Sequence, residues 1–418
     1  MKSLLGVASL LLSTAVLLMG HGMQLSLLPL RAGANGMSEF LIGFSASCYF
    51  LGFVVGCISI PMIISRVGHI RGFAVLTSIM ITAILLLDIL DNWWLWLGLR
   101  FLTGVAISGL YTIIESWLNS QASAGSRGRI LATYTFITLV SMAAGQTLIN
   151  VGPVESSTPF SIAAIFMALA ILPVGLTYSM APTPMESTRV HIRLLYERSR
   201  PAFSGALLSG LVTGTFWSLG AVFAKQVNNS QSGVTMFMTT AIVGGALFQY
   251  PIGWLSDRID RRKILTYLSA STVISASAVA LSIQEPWFLL AVLIFGATSL
   301  PLYSVSLATA ADVSSSSEFV HIGTSVLMLN AFGSIMAPLL IGQLMSVLGP
   351  IALFWSLAVF CAFFAFLLWR LSRQPRAVAV EEQVPFTAAA SAVAPASFVL
   401  DPRQHEQDHT GSGLEDGR

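Results

Sequence analysis

A chain of 418 residues with 55% hydrophobic and only 10% charged side chains, at a mean hydropathy of +0.79, has too few polar groups to clothe a water-soluble globule. Its 21 Lys/Arg against 19 Asp/Glu leave a formal charge of +2, without the basic surplus that binding to nucleic acid draws on. The three cysteines, Cys48, Cys57 and Cys361, fall inside apolar runs and suggest neither a disulfide framework nor a zinc site.

A bilayer core about 30 Å thick takes roughly 20 apolar residues at 1.5 Å rise per residue. Such runs recur from Leu4 to Arg370, and twelve spans are predicted: 6–29, 40–64, 72–90, 94–118, 130–151, 158–180, 202–224, 234–255, 264–283, 287–310, 320–345 and 351–369. The first resembles a secretory signal in having Lys2 before a Leu-rich stretch. No small-x-small cleavage site ends it, however, and apolar sequence continues through Leu30, so it is read as span 1. The expected class is an all-α integral membrane protein, twelve transmembrane helices in two pseudo-symmetric six-helix bundles. Its parts are an N-terminal bundle over 1–180, a linker over 181–201, a C-terminal bundle over 202–370 and a tail over 371–418. The tail is Ala-, Glu-, Asp- and Gly-rich without periodicity and is expected to be disordered in the cytoplasm.

Cations set the orientation, because Lys and Arg are retained in short cytoplasmic loops. With both termini inside, the inner loops hold Arg66, Arg71, Arg127, Arg129, Arg189, Arg193, Arg198, Arg200, Arg258, Arg261, Arg262 and Lys263, and the outer loops only Arg31 and Lys225. A multi-pass protein of a bacterial inner membrane, monomeric, bound to lipid and to no nucleic acid, is expected.

Between spans 8 and 9 stands Gly253-Trp254-Leu255-Ser256-Asp257-Arg258-Ile259-Asp260-Arg261-Arg262-Lys263. An equivalent turn, Pro61 to Arg71, follows span 2 with Pro61 in place of the glycine and Ser65 in place of the aspartate. Glu115 near the inner end of span 4 and Asp312 at that of span 10 are a second equivalent pair. Two latches are expected: Glu115 with Arg66, Arg71 or Arg129, and Asp312 with Arg261 or Arg262, the alternative being acids solvated at the interface. Arg100 lies six residues inside span 4, where a cation costs on the order of 3 kcal/mol without a partner or a wet cavity. Snorkelling to the outer interface is the competing reading. His21 could carry a proton or simply pack between Gly20 and Gly22. Gln24, Asn150, Trp217, Gln249, Tyr303 and Asn330 are deep enough to line a central cavity, although each alone reads as helix-helix glue. A site rich in neutral hydrogen-bonding groups with one cation suits a neutral or anionic solute.

The 253–263 turn resembles the loop signature of the major facilitator superfamily, and Arg100-x-x-x-Gly104 resembles that family's helix 4 motif. The resemblance implies a secondary transporter. In it, Asp257 would favour one closed state near a neighbouring helix N-terminus, and Arg100 would serve proton coupling or substrate binding. Ile114-Glu115-Ser116, Arg127-Gly128-Arg129, Gly145-Gln146, Gln249-Tyr250-Pro251-Ile252-Gly253 and Leu300-Pro301-Leu302-Tyr303 further resemble the YcaD-type branch of bacterial major facilitators. That likeness covers residues 5–370. Met142-Ala143-Ala144-Gly145-Gln146 departs from the span 5 glycine pattern of drug-proton antiporters, which weakens a multidrug reading.

No phosphate loop supplies a primary energy source, and no nucleophile-base or metal-ligand cluster marks an enzyme. The expectation is therefore a carrier without cofactor or metal, moving a small organic solute by alternating access with or without protons. The alternative is a transporter-shaped sensor or scaffold acting through its tail.

Overall fold

A helix that crosses lipid satisfies every backbone group internally, so apolar runs of this length can only be helical. The computed structural model describes residues 2–90, 92–121, 127–176, 190–374, 378–379, 383–384 and 386, without side chains at 2–6, 127–129, 131, 316–317 and 319–320. Among the described residues twelve segments are long and apolar enough to span a bilayer. Spans 1 to 6 are Val7–Ala34, Glu39–Val67, His69–Ile89, Trp93–Gln121, Ala132–Val151 and Thr158–Gly175. Spans 7 to 12 are Arg200–Asn228, Gln231–Ser256, Arg261–Leu281, Phe288–Ala311, His321–Leu348 and Ala352–Ser372.

Local chemistry sets several ends. Ser38, Ser199 and Ser230 accept from the backbone N–H three residues on, capping the helices of spans 2, 7 and 8. Gly68 turns between spans 2 and 3 at φ 83°, a conformation that favours glycine. Span 10 is two helices, Phe288–Ser299 and Leu302–Ala311, interrupted around Pro301, which has no N–H to continue the ladder. Span 6 is likewise divided, into Thr158–Leu169 and Ile171–Gly175.

Packing repeats with a step of six spans. Spans 2 and 4, 1 and 5, 3 and 6, and 3 and 4 pack in the first bundle, and spans 8 and 10, 7 and 11, 9 and 12, and 9 and 10 in the second. Small residues let the backbones meet: a Cβ at Gly104 would overlap the Tyr49 carbonyl oxygen, and one at Gly244 that of Leu293. Large apolar side chains such as Leu51, Ile58, Phe136, Leu247, Ile274 and Phe363 point outward, where lipid and not water is the solvent.

The bundles meet through spans 2 and 11, 5 and 8, and 1 and 7. The described polar contacts between them run from mid-span to one end, here called the outer face. Ser47 Oγ donates to the Ile335 carbonyl at 2.6 Å, Gln226 Nε2 to Glu39 at 2.6 Å, and Thr235 Oγ1 to the Gln146 carbonyl at 3.3 Å. Gln231 Nε2 adds a bond to the Gly152 carbonyl at 2.8 Å. The opposite, basic face carries the 61–71 and 253–263 turns.

Of the expected linker, 181–189 lie outside the described residues; Ile192–Arg198 forms a short helix anchored by buried Leu195. Most of the expected disordered tail also lies outside them. Its described positions depart from the expectation: Leu371 and Ser372 continue the span 12 helix, and Val384 and Phe386 are hydrogen-bonded to the second bundle.

Candidate functional site

Two groups of polar side chains stand out, one deep in the first bundle and one on the basic face of the second. Arg100 on span 4 is 4% exposed, so its guanidinium has not snorkelled out. It stacks over the Tyr49 ring of span 2 at 4.7 Å, and its Nη1 has no hydrogen-bond partner. No carboxylate among the described residues lies within ion-pair distance of it. His21 of span 1 shares a hydrogen bond with the same tyrosine, Nε2 to Oη at 3.3 Å, and leaves Nδ1 unpartnered. Tyr49 thus offers its face to one candidate and its hydroxyl to the other. One turn beyond His21, Gln24 is fully buried with neither carboxamide atom hydrogen-bonded, and on span 4 the Tyr111 hydroxyl is also unpartnered. Buried polar groups are ordinarily satisfied, so these atoms concentrate unmet bonding capacity in one part of the first bundle.

The glycines flanking His21 hold it there: a Cβ at Gly22 would stand 2.8 Å from the Met142 carbonyl of span 5, and one at Gly20 2.8 Å from that of Ala163 in span 6. Gln146 fixes the same seam, donating from Nε2 to the Gly22 carbonyl at 2.7 Å and accepting from Ser26.

In the second bundle the candidates are largely engaged with one another's neighbours. Asn330 donates to Ser209 at 3.1 Å and Gln249 to Ser304 at 2.6 Å, joining spans 11 to 7 and 8 to 10. Trp217 is half-buried edge-on against Phe216, and Tyr303 is buried just past the Pro301 break. Asn150 is a correction. Span 5 tightens into a 3-10 turn at Ile149–Val151, which leaves Asn150 exposed at the outer end and away from any central cavity.

On the basic face, Arg261 is the hub. Its side chain is 1% exposed and pairs with Asp257 through Nη2 at 2.7 Å and with Asp312 through Nη1. Nη1 also donates to the Ala308 carbonyl at 3.2 Å. Arg262 turns instead to Asp260 at 2.8 Å, whose carboxylate also caps the helix by accepting from the Arg262 N–H. Arg258 stacks over Trp254 at 3.7 Å. Gly253 lies under the ring of Phe386.

The equivalent place in the first bundle is built differently. Ser65 merely bonds back to the Met62 carbonyl at 2.8 Å, and Arg66 and Arg71 are exposed. Glu115, 1% exposed, accepts from Tyr134 of span 5 at 3.2 Å. The expected ion pair with Arg66 or Arg71 is not found among the described residues, because both side chains point to solvent and the acid faces span 5. The Arg129 side chain lies outside them.

In the sequence Tyr49, Tyr111 and Tyr134 read as ordinary core aromatics; the fold places them beside Arg100, His21 and Glu115. Asp88 likewise gains its role only in the fold, where its carboxylate lies 3.4 Å from Arg31 and ties the outer ends of spans 1 and 3. Outside the spans, Glu318 is held below the usual carboxylate range, chiefly by the Ser315 backbone N–H and hydroxyl and further by Arg198 at 3.0 Å.

The family model of the Major Facilitator Superfamily matches residues 10–199 and 202–403. The uncharacterized MFS-type transporter YcaD of Escherichia coli O45:K1 (strain S88 / ExPEC) is 26% identical over 357 residues, covering 85% of this chain and 93% of the relative. An uncharacterized MFS-type transporter of Enterobacter sp. (strain 638) is 26% identical over 77% of this chain and 84% of its own length. Among solved structures, the nucleoside transporter NupG superposes with a TM-score of 0.75 at 13% identity, over 88% of this chain and 99% of that one. The E. coli fucose:proton symporter FucP does so with a TM-score of 0.57 at 15% identity, over 90% of this chain and all of that one. At such identities these structures speak to the fold alone. With two bundles repeating at a step of six spans and a family match running through both, the chain belongs to the major facilitator superfamily.

Proposed function

We propose that the protein is a secondary carrier of a bacterial inner membrane, moving a small organic solute by alternating access. Both termini and the basic face are cytoplasmic in this reading, since that face carries the excess of Lys and Arg. The first bundle is taken as 1–180, the linker as 181–201 and the second bundle as 202–370.

The observation that carries the proposal is the cluster of Arg100, His21 and Gln24, whose buried polar atoms include several without a partner, in a molecule whose described polar contacts between bundles run from mid-span to the outer face. A buried guanidinium facing an aromatic ring and no acid is suited to a carboxylate or other anionic group, and the neutral amide and hydroxyl beside it to hydroxyl-bearing solutes. His21 is the candidate for a coupled proton. Asp257, Arg261 and Asp312 serve as the gate on the cytoplasmic side, with Gly253, Arg258 and Arg262 shaping the same turn. Glu115 and its neighbours are the weaker counterpart.

The test is a fluorescence record of internal pH in inside-out and right-side-out proteoliposomes challenged with sugars, nucleosides, organic acids, amino acids and cationic dyes, alongside counterflow of the same panel. Substrate-dependent proton movement or counterflow that Arg100→Ala abolishes is the expected result. Wild-type flux in Arg100→Ala vesicles removes the arginine from the site, and silence throughout the panel counts against the carrier reading.

A further inference from the structure

Asp257 and Asp312 share one guanidinium, so the cluster keeps a net charge of −1 with Arg261 almost fully buried. Further bonds to both carboxylates come from the far end of the chain. The Val384 N–H donates to Asp312 Oδ1 at 3.0 Å and the Phe386 N–H to Asp257 Oδ1 at 2.9 Å, while Arg261 Nη2 donates to the Val384 carbonyl. Val384 and Phe386 are two residues apart, and the backbone N–H of each faces one of the acids.

An apolar contact adds to these polar ones. The Phe386 ring packs on the core and covers Gly253 at the inner end of span 8; a Cβ there would overlap the ring and force it to shift. Nearer span 12, Arg262 Nη1 donates to the Gln374 carbonyl at 3.1 Å. Val378 and Gln383 also line a cavity of about 530 Å³ whose walls include Arg198 to Pro201 of the linker. Among the described tail residues, Gln374, Val384 and Phe386 thus reach the 253–263 turn, and Val384 the end of span 10.

We propose that Val384 and Phe386 form a strap that docks on the Asp257–Arg261–Asp312 cluster and opposes closure of the basic face. The proposal rests on the alternating-access reading. Spans 5 and 8 are joined near their outer ends by Thr235 and Gln146, so closing the basic face must bring their inner ends together. The strap occupies the inner end of span 8, with a phenyl ring and two backbone amides on it. It has to leave before that end can pack against anything else. Because the segment recognises its site through backbone amides and one aromatic ring, whatever competes for the tail competes for the gate as well.

The experiment uses full-length protein in nanodiscs, carrying spin labels at Ser65→Cys and Lys263→Cys in a background without the three native cysteines. Hydrogen exchange of the 383–386 segment is followed in the same samples. Wild type is expected to protect the Val384 and Phe386 amides. Phe386→Asp, and independently truncation after Gln374, should abolish that protection or remove the segment and shift the label pair toward shorter distances. A synthetic peptide of residues 378–390 added to the truncated protein should restore the longer distance, with an affinity weakened about tenfold by Asp312→Asn, the loss of one charge-assisted bond. Wild-type amides that exchange as freely as an unfolded peptide overturn the docking. Protected amides with a distance distribution unchanged by Phe386→Asp and by truncation overturn the gating role. If the label pair never moves under any variant or transported solute, it is the alternating-access reading that fails, while the exchange data still report on the strap.

Discussion

Arg261→Met removes the hub of the basic-face cluster at nearly constant volume, and its cost follows from what is left behind. Asp312 has a side chain 6% exposed and Asp257 one 40% exposed, so the cluster goes from net −1 to net −2 with one acid unable to reach water. A unit charge pair at about 4 Å in an effective dielectric near 20 is worth about 4 kcal/mol, and removing one partner of a buried pair costs about 3–5 kcal/mol. A loss of about 3 kcal/mol would lower the ratio of folded to unfolded protein on the order of 100-fold. By contrast Asp257→Asn leaves Arg261 its bond to Asp312 and removes only a half-exposed helical pair, worth about 0–1 kcal/mol. The double variant Asp312→Leu with Arg261→Met takes both charges out of the buried site and should recover at least half of the single variant's loss. Unfolding in mixed micelles, read from the nine tryptophans, gives the three values side by side. An Arg261→Met protein within about 0.5 kcal/mol of wild type, or an Asp257→Asn protein as unstable as it, would refute the reasoning.

Three further outcomes are expected. Arg100→Ala should insert and fold yet transport nothing, and Arg100→Lys should fare little better because an ammonium lacks the planar face that stacks on Tyr49; uptake and the detergent-extracted yield separate the two effects. Gly43→Val should prise the outer seal apart, because a Cβ at Gly43 would already overlap the Pro338 carbonyl of the other bundle. Reagent labelling of cysteines introduced near Ser47 should rise, and unchanged labelling would show that spans 2 and 11 are not the seal. The Glu318 carboxyl is depressed in the folded state. Its contribution is therefore present above the usual carboxylate range and is lost as pH falls through its lowered value, loosening Arg198 from the start of span 11; hydrogen exchange across 192–201 at neutral and acidic pH reads this directly.

Hydropathy alone specified that this chain is a stack of membrane helices, because the bilayer admits no other way to satisfy a backbone over twenty apolar residues. The spacing of charges and glycines specified the 253–263 turn and its poorer copy at 61–71, and a lone arginine in span 4 announced itself by its cost. What Arg100 does with that charge was not legible. Its partner is the face of Tyr49, and a tyrosine in an apolar run carries no mark that separates it from core packing.

Pairing decisions belong to the tertiary structure for the same reason. Asp312 had Arg261 and Arg262 equally near in sequence, and the fold gives it Arg261 because Asp260 engages Arg262 at the helix start. Asn150 looked deep by residue count until the last turn of span 5 tightened and left it exposed. The tail was the largest surprise, since a segment without periodicity gives no local signal of order. Val384 and Phe386 are held by acids some 70 and 130 residues away, and only folding the bundle makes that site. Local patterns determine which segments enter the membrane, whereas contacts between residues far apart in sequence determine which polar groups meet there.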